Sequence, residues 1–203
     1  MTVKTTGHIK GQMPRPNVKE QLIQAGLKTL LKRGFNGVGV QEITEQAGVP
    51  KGSFYNHFES KEALGAEIVE RYGMNSTRRA VLLDKTVPPL ERLRTHFDAL
   101  NETFVKSKFE RGCLLGNFSA ELANQSAVIR ESLAKLFERW TKDLEVAIED
   151  AQADGAVSSD RKASDIAAFL LDAYEGALLR ARVQRHRAPF DRFMTLAFEK
   201  ILT

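Results

Sequence analysis

Apolar residues recur at every third or fourth position along most of the chain, which is the spacing of amphipathic helices. The first such stripe begins near Val18 and stops at Arg33, where a basic residue followed by Gly34 is typical of a helix C-terminus. Similar stripes predict further helices over Val40–Ala47, Lys51–Phe58, Lys61–Leu83, Leu90–Phe104, Cys113–Leu122, Ser126–Ala153, a segment that opens at Ser164, and Pro189–Ile201. No stretch shows convincing strand alternation. The sequence therefore predicts an all-α fold of about nine helices.

Positive charge is concentrated at one end of the chain. Residues 1–60 contain eight Lys and Arg against four Asp and Glu, whereas the remaining residues contain 22 of each kind. Residues 1–16 carry two glycines, two prolines and no apolar periodicity, and we expect them to form a flexible basic arm. A basic segment joined to a neutral body indicates an anionic partner for that segment, although an unevenly charged surface without a partner is the open alternative.

Other features of the sequence disfavour several classes of function. The longest apolar run, Ile166–Leu171, is too short to cross a membrane, and the single cysteine, Cys113, cannot form a disulfide within the chain. We therefore expect a cytoplasmic location and no membrane partner. The four histidines lack metal-ligand spacing and no glycine loop follows a strand, so neither a metal nor a cofactor is expected. A non-enzyme is predicted, and a hydrolytic pair of Cys113 and His96 is the enzymatic alternative.

The first three predicted helices have the arrangement of a helix-turn-helix, because the second and third are joined by the tight segment Gly48-Val49-Pro50. Such a unit places the third helix in the major groove of DNA. Phe54 and Phe58 are four residues apart and are expected to face inward. The outward face would then carry Lys51, Gly52, Ser53, Tyr55, Asn56 and His57.

The stretch GVPKGSFYNHF at 48–58, followed by SKEAL at 60–64, closely resembles the signature of the TetR family of bacterial repressors. This resemblance implies a DNA-binding domain over residues 17–65 and an effector-binding and dimerisation domain over 66–203. It also implies that Asn56 reads a base edge and that Gly39, where the family usually has Ser or Thr, weakens a helix cap. The residues implied to contact DNA phosphates and bases at the start of the third helix are Lys51, Gly52 and Ser53. The implied phosphate contacts are Tyr55, His57 and Lys61, with Gln41 and Thr44 as weaker DNA contacts.

The only cysteine lies in a second suggestive segment. Residues 111–117 (RGCLLGN) and 119–122 (SAEL) resemble two groups within that family, the N-ethylmaleimide-responsive (NemR-like) and acrylate-responsive (AcuR-like) repressors. The resemblance implies that Cys113 senses an electrophile or a small unsaturated acid. A helix starting at Gly112 and the adjacent cation of Arg111 would stabilise a thiolate. The alternative is that Cys113 is a small buried apolar residue.

The C-terminal helices suggest a cavity and a dimer interface. Small residues at helical spacing, Ala173, Gly176, Ala177 and Ala181, are expected to let the last two helices pack against a second copy of the chain. The predicted apolar walls of an effector pocket are Phe97, Phe118, Phe137, Trp140 and Tyr174, and the predicted polar anchors are Asn117, Glu175 and Arg180.

Together these features predict a homodimeric repressor that binds palindromic double-stranded operator DNA and is released by a small organic effector or an electrophile. A DNA-binding regulator without thiol sensing is the alternative, followed by a cysteine-dependent enzyme.

Overall fold

The computed structural model describes residues 17–74, 77–110 and 112–203, and every regular element in those ranges is helical. The all-α prediction is therefore confirmed. The predicted basic arm at 1–16 and Arg111 lie outside the described residues.

The DNA-proximal helices follow the sequence signals closely. Helix α1 (Val18–Arg33) begins after Asn17, whose side chain accepts the Lys19 N–H at 3.0 Å, and ends at Gly34 in a positive-φ conformation. Helices α2 (Val40–Ala47), α3 (Lys51–Tyr55) and α4 (Lys61–Met74) follow. Gly39 precedes α2 without a side-chain cap, as its missing hydroxyl requires.

Two predicted helices end earlier than expected. The third helix stops at Tyr55 because the backbone N–H groups of His57 and Phe58 both donate to the Phe54 carbonyl, which closes the last turn. The helix predicted over Lys61–Leu83 ends at Met74, and a short helix α5 (Thr77–Ala80) leads into a 3₁₀ turn over Val81–Leu83. Leu82 in this 3₁₀ turn is buried, and its carbonyl accepts a hydrogen bond from the guanidinium of Arg92.

The remaining helices form the larger part of the fold. They are α6 (Pro89–Lys106), α7 (Leu114–Leu122), α8 (Ala127–Ala153), α9 (Ala163–Gln184) and α10 (Ala188–Leu196), which continues into a π-helical turn over Ala197–Ile201.

One continuous apolar core joins the N-terminal helices to the rest of the chain. Gly65 and Gly73 on α4 allow the close approach of α8, since a Cβ at either position would collide with Ile129 or Leu136. Gly73 therefore permits close packing of α4 against α8. Among the described residues, no helix is both long and apolar enough to cross a bilayer.

Candidate nucleic-acid interface and adjoining cavity

Helices α2 and α3 are joined by a turn that the sequence specifies residue by residue. Gly48 adopts the left-handed conformation with φ 68°, and the Val49 N–H donates to the Thr44 carbonyl at 3.0 Å. Pro50 then precedes α3 in an extended conformation, which suits a helix start. Phe54 and Phe58 are buried with ring centroids 5.7 Å apart and fix α3 against α1 and α2.

Burial of the two phenylalanines leaves one face of α3 in solvent. We call this face the recognition ridge and define it by Lys51, Gly52, Ser53, Tyr55, Asn56 and His57. Ser53 is half-buried and the other five residues are exposed. Tyr55 is 57% exposed, and its ring packs edge-on against Phe54 with centroids 5.3 Å apart, so Phe54 supports the ring from one side.

No contact within the protein requires a glycine at position 52 of the ridge. A Cβ at this position would meet nothing within 4 Å. Glycine inside a helix costs about 1 kcal/mol relative to alanine. A flat backbone at the tip of α3 therefore fits the close approach of another molecule.

Two residues implied by the family resemblance as DNA contacts are engaged within the protein. Thr44 is only 1% exposed and its hydroxyl donates to the Gln41 carbonyl at 2.8 Å, so the expectation that Thr44 faces DNA is wrong. The ammonium of Lys61 donates to the carbonyls of Phe35 and Val38 at 3.0 and 2.9 Å. Lys61 thus holds the turn between α1 and α2 with two of its three N–H donors, and its expected phosphate contact stays a prediction. Gln41 is exposed on α2.

A cavity of about 560 Å³ lies between the C-terminal end of α1, helix α7 and helix α9. Its polar lining includes Asn117 and Glu175, two of the predicted anchors, together with Cys113. Arg182 also lines it and donates to the Asn117 side-chain oxygen at 2.9 Å. Sequence reasoning missed Arg182, although its position seven residues after Glu175 places both on one helix face. Arg180 lies elsewhere, in an apolar groove on α9 and α10.

Cys113 occupies the N-cap position of α7 but is buried. Burial raises the pKa of its thiol well above the usual range, and the neighbouring Glu175 carboxylate, to which the thiol is hydrogen-bonded, raises it further. The backbone N–H groups of Leu115 and Gly116 oppose this shift without overcoming it. The expectation of a stabilised thiolate is therefore wrong. Burial likewise raises the pKa of Glu175.

The predicted aromatic walls belong to the core and do not line this cavity. The four rings of Phe97, Phe118, Trp140 and Tyr174 are buried, and Phe137 is half-buried. Phe97 packs against Tyr174 with centroids 5.1 Å apart, and the Tyr174 hydroxyl donates to Asn101.

Cys113 and His96, the alternative enzymatic pair, have different hydrogen-bond partners. The His96 Nε2 accepts a hydrogen bond from the Trp140 indole N–H at 3.0 Å, while the thiol is bonded to Glu175. Within the described ranges, no group of three or more acidic, histidine or cysteine side chains could hold a metal ion.

A tight-turned helix pair with an exposed second helix, set on a larger helical body that contains a cavity, defines the class of helix-turn-helix transcription regulators. A family model described as "Bacterial regulatory proteins, tetR family" matches residues 22–75, and one described as "Tetracyclin repressor-like, C-terminal domain" matches residues 89–197. The chain belongs to the TetR family.

Similar proteins agree with this assignment. The chain is 41% identical over 192 residues to the HTH-type transcriptional repressor DhaR of Mycobacterium sp. (strain GP1), covering 94% of this chain and 95% of DhaR. It is 33% identical over 189 residues to the transcriptional regulator AcuR of Cereibacter sphaeroides, covering 92% and 86%. The crystal structure of reduced Escherichia coli NemR superposes with a TM-score of 0.81 at 26% identity, covering 92% and 97%. The predicted resemblance to AcuR-like and NemR-like regulators is confirmed.

Proposed function

We propose that this chain represses transcription by binding a palindromic operator as a homodimer, and that an effector entering the cavity beside Cys113 releases it. The observation that carries the proposal is the recognition ridge, which is solvent-facing and pinned by two buried phenylalanines. The family assignment supports DNA binding, and the relatives named above are transcriptional regulators.

The chemistry of the ridge fits a duplex groove. Asn56 can make the paired hydrogen bonds by which an amide recognises adenine in the major groove. Lys51, Tyr55 and His57 carry donors suited to phosphate oxygens. The bare backbone at Gly52 would let a phosphate or base approach closely.

Dimerisation is supported by an apolar face on α9 and α10. Phe169 is 53% exposed and Val183 is 78% exposed, which is costly for large apolar side chains in water. A groove of about 410 Å³ between these helices is lined almost entirely by apolar atoms, and a Cβ at Gly176 would meet nothing within the protomer. A second copy of the chain would cover this face. Ala181 is fully buried within the protomer and is not part of it.

The effector site is proposed at the cavity between α1, α7 and α9. It is large enough for a small organic molecule, and its lining combines apolar surface with the side chains of Asn117, Glu175 and Arg182. An electrophile bound there would meet the Cys113 thiol, whose proton can pass to the Glu175 carboxylate as the sulfur attacks.

A regulator that binds its effector without covalent chemistry is the second candidate. Burial and the raised pKa of Cys113 favour it, because the thiolate, not the thiol, is the reactive form.

The experiment that tests the proposal is a footprint of the purified protein on its own upstream DNA, with and without N-ethylmaleimide or acrylate. We expect a protected palindrome that disappears with an effector. Loss of protection in Cys113→Ser as well as in the wild type would favour the non-covalent candidate, whereas absence of any protected site would refute DNA-binding repression.

A further inference from the structure

The turn between α1 and α2 is held by a carboxylate from the cavity helix. Glu121, on the last turn of α7, accepts the backbone N–H of Asn36 on its Oε2 at 2.9 Å. Gly34, two residues earlier, has φ 77°, and a Cβ placed there would collide with the same carboxylate. Gly34 thus ends α1 and, because it has no side chain, leaves room for the carboxylate of Glu121.

Helix α4 also contacts this turn, through Lys61. Lys61 binds the carbonyls of Phe35 and Val38, and its ammonium lies 4.2 Å from the centre of the Phe35 ring. The Phe35 ring also meets Phe118 of α7 edge-on, with centroids 5.6 Å apart. Helix α7 therefore contacts the helix-turn-helix at this turn.

A displacement of this turn would carry the recognition ridge with it. Arg33, at the end of α1, is paired with Glu42 on α2 at 2.6 Å. Helix α2 in turn leads into α3 through the short turn at Gly48. Asn36 lies four residues before the start of α2.

Helix α7 also forms a wall of the cavity. Cys113 at its start and Glu121 near its end both line that space. A nine-residue α-helix moves as one body, because its backbone hydrogen bonds resist local change. A shift of α7 by about 1 Å would stretch the Glu121–Asn36 bond beyond hydrogen-bonding distance.

We propose that Glu121 is a positioning residue that couples the occupancy of the cavity to the placement of the recognition ridge, through its bond to the Asn36 amide. This inference rests on the proposed function, in which the ridge binds DNA and the cavity binds an effector. Glutamine at this position can still accept the Asn36 N–H, whereas alanine cannot.

The test follows backbone hydrogen exchange in the full-length wild type, Glu121→Gln and Glu121→Ala, each free and bound to a duplex selected from a random-sequence pool. By reciprocity, DNA that fixes the turn must also affect α7. We expect bound DNA to slow exchange over residues 114–122 by about tenfold in the wild type and in Glu121→Gln, and to leave it unchanged in Glu121→Ala. Glu138→Ala, an exposed change on α8, serves as the matched control and should behave as the wild type.

The same DNA-induced slowing in Glu121→Ala as in the wild type would overturn the coupling, and so would its absence from the wild type. The hydrogen-exchange measurements involve no effector. A failure of N-ethylmaleimide to release DNA would therefore count against the proposed effector and would not affect the coupling between Glu121 and the ridge. A wild type that selects no duplex would instead sink the proposed function, and the coupling with it.

Discussion

Lys61→Met removes an ammonium and keeps a side chain of similar length. In the native protein that ammonium binds two carbonyls of the α1–α2 turn and lies over the ring of Phe35. Phe35 and Val38 are each only 2% exposed. Methionine would therefore leave the two carbonyls of the turn without their donor, in a part-buried site.

The expected cost follows from those contacts. A hydrogen bond from a charged donor contributes about 1.5–3 kcal/mol, and here one partly exposed ammonium makes both bonds. Loss of the cation–π contact adds about 0.5–1 kcal/mol. We expect the free energy of unfolding to fall by about 2–3 kcal/mol, which lowers the melting temperature of a chain of this length by about 5–10 °C.

Denaturant unfolding at one fixed protein concentration measures this difference, with Lys28→Met on the exposed face of α1 as the control. The control should change stability by less than about 0.5 kcal/mol. If Lys61 served only to contact a phosphate, its replacement would leave the free energy of unfolding unchanged. It would then reduce the slope of log DNA affinity against log salt concentration by about one. That pair of results would refute the structural role.

Three further outcomes follow from the proposed interfaces and the buried thiol. Asn56→Ala should relax base preference at one position of each half-site in a binding-site selection, whereas Tyr55→Ala should weaken binding to all duplexes alike; the reverse pattern would exchange their roles. Val183→Glu should give a monomer in light scattering at micromolar concentration, while Val128→Glu, equally apolar and 58% exposed but on α8, should remain a dimer; a dimeric Val183→Glu would remove α9 from the interface. The alkylation rate of Cys113 by N-ethylmaleimide should keep rising above about pH 9.5, where an ordinary thiol with a pKa near 8.5 levels off, because burial raises its pKa and the thiolate forms only at higher pH. A plateau near neutral pH would contradict that environment.

The fold was largely predictable because its signals are local. Apolar spacing, Gly34 and the Gly48-Val49-Pro50 turn each act within one helix or turn, and the structure uses them as expected. The face of α3 was predictable for the same reason, since two phenylalanines four residues apart fix which side is buried.

The contacts between distant segments could not be predicted in this way. Lys61 has a residue type suited to DNA, but the carbonyls of Phe35 and Val38 that accept from it lie 26 and 23 positions earlier, where no spacing rule places them nearby. Glu121 meets Asn36 across 85 positions of sequence.

The environment of Cys113 could not be predicted from the sequence either. A helix start and a neighbouring cation suggested a low pKa, but the tertiary fold buries the thiol beside Glu175, and both effects act in the opposite direction. The aromatic residues expected to line a pocket do not line this cavity, and a ring that fills a core has the same sequence pattern as a ring that lines a cavity.

Guanine-N7 methylation protection on the upstream DNA tests most directly whether the recognition ridge enters the major groove, where N7 is exposed. Binding through the ridge should protect guanines in two inverted half-sites whose centres lie about 34–36 Å apart or slightly more, and this protection should be lost when the side chains of the ridge are removed. Guanines that stay reactive under saturating protein, or protection unchanged when the side chains of the ridge are removed, would contradict it.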